Sequence, residues 1–130
     1  MAILPPDASR PVPKPRGGLA HILDAAGYSI AGMTRLVQES AARLELGAGA
    51  IAMVAFWLKG ATLVQWLILG ALFLAVLAVE ALNTAVEVLV DRVSPEWSID
   101  AKQAKDLGSL AVGLSLTIAG GFVAAVLLGV

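Results

Sequence analysis

The chain contains no cysteine and only one histidine, and the scarcity of these two residues limits the chemistry open to it. Without cysteine there can be no disulfide and no thiol nucleophile. One histidine cannot build a His/Cys metal cage, so a bound metal would need oxygen ligands and would resemble Mg²⁺. Neither the GxxxxGK[ST] loop nor the GxGxxG loop occurs, so a nucleotide would be held without either of these phosphate-binding loops.

Charged residues are also scarce. Only 15% of the 130 residues are charged, whereas 58% are hydrophobic. A soluble domain of this size could not bury so much apolar surface, but a lipid bilayer can accept it. The net charge of −1, with no face that collects lysine and arginine, argues against a nucleic-acid partner. The composition therefore indicates a membrane protein.

The N-terminal part of the chain has two sections of different character. Residues 1–18 hold five of the six prolines and are predicted to be a disordered leader, without the pattern of a cleavable signal peptide. Residues 19–38 show the spacing of an amphipathic helix, which we expect to lie in the membrane interface. This helix is either a simple surface anchor or one wall of a site, with a polar face made of His21, Asp24, Tyr28 and Arg35.

Three apolar stretches are predicted to cross a membrane as helices, which makes the fold class all-α. The first stretch covers residues 40–58, and the second covers residues 61–90. Lys59-Gly60 is the only polar break between them, so these two helices should form a tight antiparallel hairpin. The third stretch runs over residues 107–130.

Two local interactions are expected at the ends of these helices. Glu39 and Arg43, at the start of the first stretch, are spaced as a favourable i, i+4 ion pair. Residues 96–106 are predicted to form a polar loop and a helical start, in which Asp100 and Gln103 have the spacing of a cap.

Basic residues predict the orientation of the chain. The N-terminal segment and the loop after the second stretch hold eight of them, against one at the hairpin tip, Lys59. Because cytoplasmic loops are enriched in lysine and arginine, the N-terminus and the 91–106 loop are expected to face the cytoplasm.

The second stretch carries the candidate site. Glu80, Asn83 and Glu87 fall at i, i+3 and i+7, so a helix places them on one narrow face, which Asp91 extends. Twenty residues at about 1.5 Å each cover the ~30 Å hydrocarbon core, so Glu80 should arrive at the lipid boundary. Residues 80–90 contain no glycine or proline, so the helix should continue past Glu80 and Glu87 should stand roughly 10 Å further into water.

These positions favour phosphoryl transfer to a lipid hydroxyl without establishing it. Glu80 suits a general base, although it could instead form a structural hydrogen bond to a neighbouring helix. Glu39 and Glu87 are suitable ligands for Mg²⁺, or else solvated surface acids. Lys105 and Asp106 could hold phosphate or mark the membrane interface. A non-catalytic proton-relay or structural subunit is the alternative of another class.

The stretch EALNTAVEVLVDR at 80–92, followed by AKDLGS at 104–109, resembles the signature of the prokaryotic diacylglycerol kinase family. AGYS at 26–29 and ESAARLE at 39–45 also match, and the resemblance extends from about residue 19 to the C-terminus. It implies an integral-membrane homotrimer in the bacterial inner membrane, built from three-span subunits that each carry an N-terminal surface helix. The implied activity is ATP- and Mg²⁺-dependent phosphorylation of diacylglycerol to phosphatidic acid, at active sites shared between subunits.

The resemblance also implies a role for individual residues. Glu80 is the implied general base, and Asn83 is the implied polar residue that supports the site. The implied metal ligands are Glu39 and Glu87. The implied contacts with ATP are His21, Tyr28, Glu87, Glu96, Lys105 and Asp106. The implied contacts with the lipid substrate are Arg43, Glu45, Glu80 and Ser109.

Two positions depart from the pattern of the family, and the lipid substrate has an alternative. Relatives often carry arginine where His21 stands, and many carry an aromatic-histidine pair where Trp97-Ser98 stands. These departures bear on ATP affinity more than on reaction type. The undecaprenol kinase branch performs the same chemistry on a polyprenol, but Gly108-Ser109 resembles the diacylglycerol branch more.

Overall fold

The computed structural model describes residues 17–130, so most of the predicted leader, residues 1–16, lies outside the described part. The described chain is all-helical, which confirms the predicted fold class. Three of its helices, at Ser40–Lys59, Leu63–Val93 and Ile99–Leu128, are long and apolar enough to cross a membrane. The four helices are α1 at Leu19–Leu36, α2 at Ser40–Lys59, α3 at Leu63–Val93 and α4 at Ile99–Leu128.

The described residues fall into two compact units, one that ends at Ala31 and one that covers Gly32–Val130. In the described part of the first unit, the apolar side chains of α1 are largely exposed, among them Leu19, Ile22 and Leu23. The second unit contains the end of α1 and all of the three long helices.

α2 and α3 form the predicted hairpin. Gly60 ends α2 with a left-handed φ of 70°, and its backbone N–H donates to the carbonyls at the end of that helix. Two residues later Thr62 begins a capping box, in which the backbone N–H of Thr62 donates to Gln65 Oε1 at 2.8 Å and the backbone N–H of Gln65 donates to Thr62 Oγ1 at 3.3 Å. The rings of Phe56 and Trp66 meet edge to face with their centroids 5.8 Å apart, on the two sides of this turn.

α4 returns antiparallel to α3. Near the loop between them, Lys105 Nζ donates to Asp91 Oδ1 at 2.5 Å. At the far end of the helices, Leu69 of α3 and Val126 of α4 are buried in one cluster with Phe56 of α2. The end of α3 thus contacts the start of α4, and the start of α3 contacts the end of α4, as in an antiparallel pair. Because Phe56 of α2 belongs to the same cluster, all three long helices meet at the hairpin end.

The cap of α4 differs from the prediction. Ser98 is the N-cap residue, and its hydroxyl accepts a hydrogen bond from the backbone N–H of Ala101 at 3.2 Å. Asp100 already lies inside the first helical turn, where its side chain cannot take the capping position, and the expected Asp100–Gln103 cap is therefore wrong. The serine is itself held by a 3.1 Å hydrogen bond with the hydroxyl of Ser94.

A second small core supports the opposite end of the hairpin. Leu36, Ala42 and Leu77 are buried together, with Leu46 and Phe73 packed against them. Leu77 lies one helical turn before Glu80, so this cluster fixes the start of α2 against the part of α3 that carries the candidate site.

Candidate active site

A cavity of about 310 Å³ lies where the start of α2 meets the polar stretch of α3 and the first half of α4. It brings together five of the residues singled out by the sequence and contains three carboxylates. Its lining residues are Glu39, Ser40, Ala41, Glu80, Asn83, Thr84, Glu87, Ser109 and Val112. The predicted common face of Glu80, Asn83 and Glu87 is thereby confirmed.

Glu80 is the buried acid of this cavity, with only 4% of the residue exposed. Its carboxylate makes no hydrogen bond or ion pair within the described residues, and the charged groups near enough to repel it include Glu87, Glu39 and Glu45. Val76 and Leu77, in the preceding turn of α3, are buried as well. The fold thus holds one carboxylate in mostly apolar surroundings beside two others that are more exposed.

Asn83 and Glu87 are linked along one face of α3. Asn83 Nδ2 donates to Glu87 Oε1 at 3.1 Å, one helical turn away. The other end of the amide, Asn83 Oδ1, is buried without a hydrogen-bond partner among the described residues. Asn83 therefore orients the carboxylate of Glu87 from a fixed position between two helices.

Glu39 reaches the cavity from the N-cap position of α2, where its backbone is extended. Its carboxylate forms an ion pair with Arg35, in the last turn of α1. The expected Glu39–Arg43 pair is therefore wrong. Because Glu39 lies outside the helical turn, its side chain does not follow the helix face that leads to Arg43.

The residues predicted to contact the lipid are divided between two places. Ser109 lines the carboxylate cavity, whereas Arg43 is exposed on α2. Glu45 is buried and lines a separate, mainly apolar cavity of about 290 Å³, which also contacts Phe73 and Gly120. Its Oε2 has no hydrogen-bond partner within the described residues.

The residues predicted to contact ATP are also spread out. Lys105 is paired with Asp91, and Asp106 accepts from Lys102 Nζ at 2.5 Å. Glu96 lies in the loop before α4, where its backbone carbonyl accepts from the Ser94 hydroxyl at 3.2 Å.

Of the residues predicted to contact ATP, Glu87 lines the carboxylate cavity, whereas Glu96, Lys105 and Asp106 do not. His21 and Tyr28 are exposed on α1 in the first unit, and their expected contacts remain predictions.

The oxygen atoms that line the cavity can be compared with the ligands that Mg²⁺ usually takes in proteins. Among residues 17–130, no group of three or more histidine or acidic side chains is arranged to hold a metal ion by itself. Mg²⁺ usually keeps several waters and takes only one or two protein carboxylates together with phosphate oxygens. Glu39 and Glu87 on one cavity supply that number. The residues fit a magnesium ion that arrives with phosphate.

Two features of the site are absent from the sequence-based predictions. Thr84 is buried and lines the cavity, and its position four residues after Glu80 on the same helix could have revealed it. The Asp91–Lys105 pair joins residues 14 positions apart across a loop, and no local pattern identifies such a contact.

Comparisons with known proteins agree with the resemblance. A family model described as prokaryotic diacylglycerol kinase matches residues 27–127. The chain is 52% identical over 108 residues to a diacylglycerol kinase of Sinorhizobium sp, covering 83% of this chain and 78% of the relative. It is 41% identical over 118 residues to that of Pseudomonas aeruginosa, with 89% and 95% covered. It is 38% identical over 104 residues to that of Escherichia coli strain K12, with 78% and 84% covered.

Proposed function

This chain belongs to the prokaryotic diacylglycerol kinase family, and on that premise we propose that it phosphorylates diacylglycerol to phosphatidic acid with ATP. Membership makes the protein a kinase that acts on a lipid alcohol group. The observation that supports the proposal most is the position of Glu80. It is a buried carboxylate on a helix apolar enough to cross a membrane, and it shares one cavity with Glu39 and Glu87.

In the proposed reaction, Glu80 takes the proton of the free glycerol hydroxyl while the hydroxyl oxygen attacks the γ-phosphorus of ATP. The bond from that phosphorus to the β–γ bridging oxygen breaks, and ADP leaves. A positioned general base of this kind typically contributes about 10²–10⁴-fold to the rate. The remaining catalysis comes from positioning and from stabilisation of charge on the transferred group.

Glu39 and Glu87 would hold Mg²⁺ together with the phosphates of ATP. Bound there, the ion would neutralise negative charge on the phosphate oxygens. Asn83 orients Glu87 through the 3.1 Å hydrogen bond to Oε1, which leaves the second carboxylate oxygen for this role. The nucleotide contacts proposed from the resemblance are His21, Tyr28, Glu87, Glu96, Lys105 and Asp106. Those proposed with the lipid are Arg43, Glu45, Glu80 and Ser109.

We further propose that the protein is a homotrimer in the bacterial inner membrane, with residues 19–130 as one kinase domain and active sites shared between subunits. The chain alone covers little of its apolar surface, since only 6% of the apolar stretch of α4 that could cross a membrane is buried. Lipid or further copies of the chain must therefore surround these helices. The basic residues of the N-terminal segment and of the 91–106 loop favour a cytoplasmic N-terminus and site. The amphipathic spacing of residues 19–38 favours a helix in the membrane interface.

The proposal is tested with the full-length protein purified in mild detergent. Mg²⁺-dependent ATP consumption is measured with diacylglycerol and, separately, with undecaprenol. Turnover with diacylglycerol is the expected result. Turnover with undecaprenol alone would keep the chemistry and change the substrate. A folded protein active on neither lipid would contradict the proposal and favour a non-catalytic role for the membrane carboxylate.

A further inference from the structure

Gly108 of α4 lies directly against Asn83 of α3. A Cβ atom at position 108 would stand 2.1 Å from Asn83 Oδ1 and 3.2 Å from its Cγ, and the three nearest heavy atoms all belong to Asn83. Such a separation is far shorter than a van der Waals contact. Asn83 can occupy its observed position only because residue 108 has no side chain.

Other glycines of α4 do not have this relation to a neighbour. A Cβ at Gly113, Gly120 or Gly121 would meet nothing within 4 Å. A glycine inside a helix is destabilising relative to alanine, because it loses more backbone entropy on folding. At Gly108 the space that glycine leaves is filled by a polar side chain of the candidate site.

The amide of Asn83 connects this contact to the carboxylates. Its Oδ1 is buried against Gly108 and accepts no hydrogen bond from the described residues, so packing rather than bonding fixes that end. Its Nδ2 donates to Glu87 Oε1 at 3.1 Å. A displacement of the amide away from α4 would therefore lengthen or misalign the hydrogen bond that orients Glu87.

We propose that Gly108 is a positioning residue of the site: its missing side chain seats the Asn83 amide between α3 and α4, and the amide in turn aims the Glu87 carboxylate into the cavity. This inference rests on the proposed function in so far as Glu87 serves to bind Mg²⁺ with phosphate. Gly108 itself touches neither substrate nor metal in this scheme, and acts only through Asn83 and Glu87.

The first test compares Gly108→Ala with Gly113→Ala on the same helix. Turnover is measured against Mg²⁺ concentration and against diacylglycerol concentration. Gly108→Ala should raise the Mg²⁺ concentration for half-maximal activity by about tenfold, as expected when a group that orients a metal ligand is disturbed. The KM for diacylglycerol should stay within about twofold, and Gly113→Ala should behave as wild type. An unchanged Mg²⁺ dependence of Gly108→Ala would overturn the proposal.

The second test needs no turnover. The unfolding midpoint in detergent is measured for Gly108→Ala, Asn83→Ala and the double variant, which forms a double-mutant cycle. Gly108→Ala should lower the midpoint of the wild type. In the Asn83→Ala background it should leave the midpoint unchanged or raise it slightly, because the group with which the added methyl collides is gone and alanine favours a helix over glycine. Equal shifts in both backgrounds would overturn the proposal. If Gly108→Ala alone does not fold, the double variant must fold, and its failure to do so would also overturn it.

The two proposals can fail separately. If the unfolding midpoints show that the effects of the two substitutions are coupled, but the protein has no lipid kinase activity, the contact between Gly108 and Asn83 is supported and the proposed function is contradicted. An additive cycle in an active kinase would leave the function intact and remove the positioning role of Gly108.

Discussion

The three acids of the cavity occupy different surroundings although they line one space. Glu80 is buried behind a turn of apolar side chains, whereas Glu39 and Glu87 are only partly buried and each has a partner, Arg35 and Asn83 respectively. A buried carboxylate without a hydrogen bond suits proton transfer, while oriented and more accessible carboxylates suit a cation. The different environments fit the separate tasks proposed for these chemically identical groups.

Neutralising either proposed metal ligand should therefore alter the response to Mg²⁺. Glu39→Gln and Glu87→Gln should each lower kcat/KM for the Mg²⁺–ATP complex by about tenfold or more, equivalent to ~1.4 kcal/mol or more of transition-state stabilisation. The measurement is a titration of activity with Mg²⁺ at fixed ATP. Asp100→Asn, the same carboxylate-to-amide change outside the cavity, is the control. A wild-type Mg²⁺ dependence of both variants would contradict the proposed role of Glu39 and Glu87 as metal ligands.

At the scale of elements, the helices and the polar face of α3 could be predicted from the sequence, but the packing of the helices against one another could not. Apolar runs predicted an all-α fold with three long helices, and spacing alone brought Glu80, Asn83 and Glu87 to one side of α3. Both patterns are periodic and local, so they predict the helices and the shared face without any knowledge of how the helices pack. The closeness of Gly108 to Asn83 depends on the path of two helices, which no local pattern records.

The helix ends explain the remaining errors. The Glu39–Arg43 prediction assumed that Glu39 was helical, but it is the extended N-cap residue and pairs with Arg35 instead. The expected cap at Asp100 failed because α4 starts earlier, at Ile99 after Ser98. A shift of one or two residues at a helix end changes which side chain can cap or pair, and such ends are the least certain feature of a sequence pattern.

The turn between α2 and α3 gives a prediction about stability. Gly60 has a φ of 70°, so Gly60→Ala should destabilise the protein by about 1–2 kcal/mol, the penalty for an L-residue in the left-handed region. Gly70→Ala, inside α3 with nothing within 4 Å of the added Cβ, should be neutral or slightly stabilising. Denaturant unfolding in detergent measures both. Equal stability of the two variants would contradict the turn geometry.

The ion pair that joins α3 to α4 gives a second prediction at this scale. Lys105 Nζ is 2.5 Å from Asp91 Oδ1, and both side chains are substantially exposed. Exposed ion pairs contribute little to stability, so Asp91→Asn should leave the unfolding midpoint nearly unchanged. The expected role of the pair is to orient Lys105 toward ATP. Asp91→Asn should therefore raise the KM for ATP several-fold while the KM for diacylglycerol stays constant. Asp91→Glu should restore most of the loss. An equal change in both KM values would contradict this role.

At the scale of the whole molecule, the natural absence of cysteine makes the orientation testable. Lys59→Cys at the hairpin tip should react with a membrane-impermeant maleimide added to intact spheroplasts. Gln103→Cys, after the second long helix, should react only once the membrane is opened. This result follows from the excess of basic residues on the N-terminal segment and on the 91–106 loop. The reverse pattern of labelling would place the site on the outer face, away from cytoplasmic ATP.

The proposed role of Glu80 as the general base is tested most directly by the transfer of labelled γ-phosphate from ATP to diacylglycerol. This transfer is measured for the wild type and for Glu80→Gln. Glutamine preserves the size of the side chain and removes its ability to accept the proton. The account predicts labelled phosphatidic acid from the wild type and from Asp100→Asn, and a loss of about 10²–10⁴-fold in Glu80→Gln with unchanged assembly in detergent. Activity of Glu80→Gln within tenfold of the wild type would contradict Glu80 as the general base and the carboxylate cavity as the place of reaction.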